Sequence, residues 1–89
     1  MRRVINGKMY DTNTAKVIAE TIEYDNGIPK IWRTLYKKKT GEFFLHKEEH
    51  AFNDIYNSIK PINENEAKEF AEKHLDGDAY EAVFGHVDE

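Results

Sequence analysis

The chain has 89 residues, a formal net charge of −4, 34% charged side chains and no cysteine. A chain of this length favours a single domain, residues 1–89, with a modest core, because it buries only about 60–65% of its unfolded surface. The lack of cysteine excludes disulfides and thiolate metal sites. No apolar run approaches the ~20 residues of a membrane span and the start of the chain is no signal peptide, so we expect a cytoplasmic protein with no membrane partner.

The charge is divided unevenly along the chain. Residues 1–63 hold 11 Lys and Arg against 8 Asp and Glu, whereas residues 64–89 hold 2 against 9. An acidic end of this kind repels nucleic acid and attracts basic surfaces. A solvated helix face with no partner explains the same pattern.

An Asn-Gly pair at Asn6-Gly7 lies between two short apolar runs near the N-terminus. This dipeptide is typical of a type I′ hairpin, because both turn residues take positive φ. Val4 should then face Met9. The sequence predicts a small hairpin that forms a flap or an edge ribbon.

The next stretch is ambiguous between helix and strand. Apolar residues within 15–22 recur at helical spacing, but β-branched and aromatic types favour a strand. We predict a single helical turn over 12–15 and a strand over 16–24. A second turn follows at 25–29, where Pro29 blocks continuation of a helix.

Residues 31–47 predict the central hairpin of the fold, because large apolar and aromatic residues flank a short polar turn. Gly41 can take positive φ, which suits a three-residue loop with a bulge. Tyr36 then faces Phe44. A two-residue loop at Thr40-Gly41 would shift the register and change which aromatics share a face.

Residues 48–58 are the least specified part of the chain. Apolar residues within 52–56 permit one or two helical turns, whereas several Asn and Asp favour a mobile connection. Residues 59–62 are extended, because the residue before Pro61 avoids the α region. They predict a short edge strand.

The C-terminal part predicts two helices. Asn63 is an N-cap, and Glu66 completes a capping box for a helix over 64–75. Gly77 is a candidate C′ residue of that helix. Asp78 repeats the capping pattern for a short helix over 78–84. The predicted fold class is therefore α+β: a small antiparallel sheet of four or five strands covered by these helices.

The sequence His46-Lys47-Glu48-Glu49-His50 matches a zinc-peptidase pattern, in which two His on one helix face hold the metal. We do not predict a metal site here, because His46 lies at the end of a predicted strand. His74 on the apolar helix stripe is best explained as a boundary residue. With no phosphate-binding loop and no activated nucleophile, the sequence predicts neither a catalytic residue nor a cofactor, and we expect no enzyme.

Three surfaces are candidates for binding. The first is an acidic surface on the predicted helices, formed by Glu64, Glu66, Glu69, Glu72, Asp76, Asp78 and Glu81. The second is an aromatic sheet face, formed by Trp32, Tyr36 and Phe44, since exposed aromatics are good anchors for a protein partner or a second copy. The third is a basic patch at the hairpin tip, formed by Lys37, Lys38 and Lys39 with Arg33, which could contact nucleic acid.

The stretches VINGKMYDTNTAKVIAE, LYKKKTGEFFLHKE and INENEAKEFAEKHLDGDAYEAVFG resemble a group of small proteins carried by phages, prophages and plasmids of Firmicutes. In size and acidic character such proteins are similar to anti-CRISPR proteins. The resemblance implies a non-enzymatic protein of a mobile genetic element in the cytoplasm of a bacterial host. It further implies stoichiometric inhibition of a host defence nuclease complex, such as a CRISPR effector.

Two mechanisms are open under that hypothesis. The acidic surface could occupy a basic groove, or the aromatic sheet face could dock on a protein surface. The alternative function is a nucleic-acid-binding accessory protein that uses the basic hairpin tip.

Overall fold

The computed structural model describes residues 1–89 and contains six strands and two helices. The strands are β1 (Arg2–Ile5), β2 (Lys8–Asp11), β3 (Lys16–Asp25), β4 (Ile28–Lys37), β5 (Phe43–Ala51) and β6 (Asp54–Ile62). The helices are α1 (Glu64–His74) and α2 (Gly77–Phe84). β3 to β6 form one antiparallel sheet in chain order, and β1 with β2 forms a separate hairpin. The predicted α+β class is confirmed.

The two Asn-Gly turns form as their sequence predicts. Asn6 and Gly7 have φ of 51° and 75°, and Asn26 and Gly27 have φ of 51° and 80°. Val4 pairs with Met9, as predicted. We call the β1–β2 hairpin, residues 2–11, the flap.

The central hairpin forms in the predicted register. Tyr36 pairs with Phe44, which excludes the shifted two-residue loop. The Gly41 amide donates to the Lys38 carbonyl at 2.9 Å, and Gly41 has φ of 93°. A glycine in the left-handed region therefore closes the loop, as expected of a three-residue hairpin turn.

The prediction for residues 48–58 is wrong. These residues are neither helical nor a connection, because β5 continues to Ala51 and β6 begins at Asp54. Only Phe52 and Asn53 separate the two strands. The pairing is visible only in the sheet: β5 pairs along its whole length with β6, which overrides the weak local preference of the Asn- and Asp-rich segment.

The helix α1 begins as predicted. The Asn63 side chain accepts from the Glu66 amide at 2.8 Å, and the Glu66 side chain accepts from the Asn63 amide at 3.2 Å. The prediction for Gly77 is wrong, because Gly77 is the first residue of α2 and Asp76 is its N-cap. Asp76, two residues before the predicted cap Asp78, caps the helix, with its carboxylate accepting from the Ala79 amide at 2.8 Å.

The helices cover one face of the sheet. Ala67 of α1 packs with Leu35 of β4 and Phe43 of β5, and all three are buried. Phe84 of α2 stacks on Phe43 with ring centroids 5.5 Å apart. This contact seats the last helix against the end of the sheet nearest the Gly41 turn.

The flap covers the opposite face at the same end of the sheet. Tyr10 of the flap meets Phe44 edge-to-face at 5.5 Å, and Tyr36 stacks on Phe44 at 5.0 Å. Ile59 completes this second core. Successive strand residues point to opposite faces, which explains why Phe43 and Phe44 serve two different cores.

The other end of the sheet has little cover. None of the ten buried residues lies within residues 20–33 or 45–58. These two segments comprise most of the four strands together with the Asn26-Gly27 and Phe52-Asn53 turns. We call them the uncovered end. The uncovered end extends beyond the two cores, and a second layer covers only part of it.

Candidate recognition surface

The uncovered end carries most of the exposed large apolar side chains of the protein. Ten such side chains are exposed, and six belong to the uncovered end. The six are Ile22, Tyr24, Ile28, Phe52, Ile55 and Tyr56. An apolar group of this kind on a small protein is typical of an interaction site, whereas scattered single residues are not.

Trp32 lies within the same end, on the face of the sheet that the flap covers further along. Its register partners are Ile22 on β3 and Glu48 on β5. Its ring lies 4.5 Å from the His50 ring, and His50 Nε2 lies 2.8 Å from Glu48 Oε2. The histidine is therefore held between an aromatic ring and a carboxylate.

The charge of the uncovered end is negative. It has six carboxylates, which are Glu20, Glu23, Asp25, Glu48, Glu49 and Asp54. It has three basic side chains, which are Lys30, Arg33 and Lys47. Arg33 pairs with Glu23 at 2.7 Å and Lys47 with Glu49 at 3.4 Å, so the excess is acidic. Asp25 and Asp54 each directly flank a turn at the tip.

The predicted aromatic surface is only partly available. Phe44 is fully buried under the flap and cannot contact a partner. Tyr36 is half-buried and stacks on Phe44, and burial together with the nearby Glu20 carboxylate raises the pKa of the Tyr36 hydroxyl. Of the three predicted aromatics, Trp32 alone belongs to the uncovered end.

The predicted acidic residues are all exposed on the two helices, but several have local roles. Glu66 and Asp76 cap helices, and Glu64 lies 3.8 Å from Lys68. Glu81 accepts from the Val87 amide at 3.2 Å. Glu69, Glu72 and Asp78 have no such local bond. Fewer of the predicted carboxylates are therefore free to bind a partner than the sequence predicts.

The predicted basic patch assembles in part, because Lys37, Lys38 and Lys39 line one pocket together with Lys16. Lys38 is largely buried: its ammonium lies 4.2 Å from the centroid of the Tyr10 ring and 3.2 Å from Glu42. Arg33 is paired with Glu23 within the uncovered end, away from the lysines of the Gly41 turn. The accessible basic groups of the patch are therefore Lys37, whose ammonium lies 5.6 Å from the Phe43 ring centroid, together with Lys39 and Lys16.

Glu42 is the most strongly perturbed ionisable group. It accepts from Lys8 at 2.9 Å, from Lys38 at 3.2 Å and from Thr40 at 3.1 Å. These bonds lower the pKa of Glu42 to about 2, and the bond to Glu42 raises the pKa of Lys8. The network ties the flap to the central turn, which is a structural role.

The zinc-peptidase pattern does not form a metal centre of that kind. His46, Glu49 and His50 lie on a strand, where Glu49 points to the face opposite the two histidines. His46 Nε2 lies 2.9 Å from Asn57 Oδ1, so its contact is with β6. No three potential ligand side chains come within reach of one metal ion.

Sequence reasoning missed the residues that dominate this surface. Ile22 lies in the predicted strand over 16–24 with no predicted surface role, and Phe52, Ile55 and Tyr56 lie in the least specified segment, residues 48–58. One signal is present in the sequence: Ile55, Tyr56 and Ile59 are β-branched or aromatic residues, which favour a strand. The turn is not predicted from the sequence, because no glycine lies between Ala51 and Asp54.

Comparison of the chain with protein families, with curated proteins and with solved structures finds no match. Neither helix has the length and apolar character needed to cross a bilayer. The surface itself is therefore the starting point for a functional hypothesis.

Proposed function

We propose that the protein is a non-enzymatic binding protein that docks on a protein partner through the uncovered end of its sheet. One observation carries this proposal: six of the ten exposed large apolar side chains gather at that end, where no residue is buried. Aromatic and aliphatic anchors on a rigid sheet suit protein recognition, because they release water at little cost in conformational freedom.

The charge distribution favours a protein partner over nucleic acid. The uncovered end has twice as many carboxylates as basic groups, so phosphates are repelled from it. Three carboxylates, Glu20, Asp25 and Asp54, have no ion-pair partner, and of these only Glu20 accepts a side-chain hydrogen bond, from Thr34 at 3.4 Å. They are available to basic side chains of a partner.

The resemblance to small proteins of mobile genetic elements supplies the class of target. We propose stoichiometric inhibition of a host defence nuclease complex, of which a CRISPR effector is the type to test first. Inhibition by binding needs no catalytic group. It fits a chain in which polar and ionisable side chains act in helix caps and ion pairs.

The test is co-precipitation from lysate of a bacterium that contains an RNA-guided nuclease complex, followed by a cleavage assay with the purified complex. The wild-type protein should retain a nuclease subunit and stop cleavage at a stoichiometric ratio. Tyr56→Ser should weaken both effects, whereas Val4→Ser, which changes an equally exposed residue of the flap, should not.

A third variant separates the two mechanisms. Charge reversal in Glu72→Lys with Asp78→Lys, two exposed helix residues outside the pocket that α1 forms with β3 and β4, should leave inhibition intact if the uncovered end is the interface. Loss of inhibition in that variant alone would contradict the proposal and favour the acidic helices. Recovery of nucleic acid without any protein would instead favour the alternative, a nucleic-acid-binding accessory protein that uses the basic hairpin tip.

A further inference from the structure

The turn at Phe52 differs from the other two-residue turns of the protein. The flap and the β3–β4 hairpin both use Asn-Gly, the pair that tolerates positive φ best. The β5–β6 hairpin has Phe-Asn instead, and Phe52 has φ of 58° while Asn53 does not take positive φ. This φ pattern is that of a type II′ turn, in which the first central residue is normally glycine.

The fold gains nothing visible from a phenylalanine at this position. A bulky side chain with positive φ is an outlier that is strained relative to glycine. Phe52 is 104% exposed, so its ring packs against nothing that could offset the strain. Strained residues that the fold does not need cluster at sites where a ligand is held, which makes Phe52 a candidate anchor.

The size of the uncovered end argues for a partner that encloses it. Four strands about 4.8 Å apart and about six residues long at 3.3 Å give roughly 400 Å² for one face. A stable interface needs about 800 Å² on each partner. One face is too small for a second copy laid flat upon it. Because α1 lies beside Thr21, Glu23 and Arg33 on the opposite face, an interface of that size needs the flap-side face, the tip and the free part of the helix-side face together.

The thickness of the uncovered end fits the same arrangement. The protein measures 45 × 36 × 18 Å, and away from its two cores the sheet is one layer except where α1 lies beside Thr21, Glu23 and Arg33. Apolar groups lie on both sides and at the tip, where Phe52 is followed closely by Ile55 and Tyr56. A cleft with apolar walls matches this shape.

The carboxylates of the uncovered end indicate the charge that a partner's cleft needs. Asp54 directly follows the Phe52-Asn53 turn, and Asp25 directly precedes the Asn26-Gly27 turn at the same end. Neither has an ion-pair partner within the protein. An apolar cleft with a basic rim would complement both, and that combination is the chemistry of a groove that binds single-stranded nucleic acid.

We infer that Phe52 is the leading anchor of a wedge, formed by the uncovered end, that enters an apolar, basic-rimmed cleft of the partner protein and excludes single-stranded nucleic acid from it. This inference rests on the proposed function. It adds the residue that determines recognition and the kind of surface that receives it.

The test replaces the anchor while improving the turn. Phe52→Gly restores the Gly-Asn pair that a type II′ turn prefers, so the midpoint of urea unfolding should be unchanged or higher. Affinity is measured against the nuclease subunit recovered by co-precipitation. It should fall by at least about tenfold, as expected of an interface hot spot, while Val4→Ser binds as the wild type does. A poly-thymidine oligonucleotide should displace the wild-type protein from that subunit.

The outcomes separate this inference from the proposed function. Equal affinity of Phe52→Gly and the wild type, or failure of the oligonucleotide to compete, would overturn the inference while binding itself stands. A wild-type dimer in light scattering that Phe52→Gly dissociates would also overturn it, because the occupant would be a second copy. If the wild-type protein retains no nuclease subunit, the proposed function fails first.

Discussion

Phe44 is the side chain on which the seating of the flap depends, and Phe44→Leu tests that contact. The ring is fully buried and meets two others, Tyr10 edge-to-face at 5.5 Å and Tyr36 stacked at 5.0 Å. Each aromatic contact contributes about 0.5–1.5 kcal/mol beyond apolar burial, and imperfect refilling by leucine adds about 1 kcal/mol. The free energy of unfolding should therefore fall by about 2–4 kcal/mol.

That loss is large for a chain of this size, whose total stability is about 4–13 kcal/mol at 0.05–0.15 kcal/mol per residue. Urea unfolding followed by circular dichroism measures it. The matched control is Phe70→Leu on α1, because Phe70 is only half-buried and its one ring contact is the exposed His74 at 4.6 Å. This control should cost about 1 kcal/mol.

A double-mutant cycle isolates the flap contact. Combining Phe44→Leu with Tyr10→Leu should reveal a coupling of about 0.5–1.5 kcal/mol, because either change alone removes the same edge-to-face pair. Equal costs for Phe44→Leu and Phe70→Leu, together with no coupling to Tyr10, would refute the assignment of a second core beneath the flap.

Three further changes probe the ion network, a turn and a cap. The pKa of Glu42 in the folded protein is lowered to about 2, so its ionised form stabilises the fold fully above the ordinary pKa of 4.5, and this stabilisation is lost as the pH falls towards 2. Glu42→Gln should therefore flatten the curve of unfolding free energy against pH in this range. Gly27→Ala should cost about 1–2 kcal/mol through its φ of 80° alone, because no atom lies within 4 Å of the added methyl group. Gly77→Ala is the control in equally open space with no positive φ; a comparable cost there would contradict the reasoning. Asn63→Ala should lower stability by about 1 kcal/mol in urea unfolding by removing the bond to the Glu66 amide, and an unchanged midpoint would show that the cap contributes nothing.

The parts of the fold that the sequence predicts correctly are those that depend on interactions between residues close in sequence. Asn6-Gly7 and Gly41 fix their turns because few other residues tolerate positive φ, and those turns set the pairing of the strands beside them. Asn63 and Glu66 fix the start of α1 because both side chains bond within one turn. None of these features needs information from elsewhere in the chain.

The parts that do not follow depend on contacts between distant residues. β6 is a strand because β5 lies beside it, and nothing in its Asn- and Asp-rich start identifies that partner. The burial of Phe44 depends on the flap, which joins the sheet from more than thirty residues away in sequence. The predicted aromatic surface therefore includes the buried Phe44 and omits Phe52, which lies at the exposed end of the same sheet.

The unequal cover of the sheet has a consequence for its motions. Each of the four long strands runs from a segment that packs in at least one core to a segment held mainly by the backbone of its neighbours. Amide hydrogens should therefore exchange at rates that change along a single strand, and rows across the sheet should open together. A molecule that binds these mobile rows must also reduce their motion. Part of its binding free energy therefore offsets the entropy that the uncovered end loses.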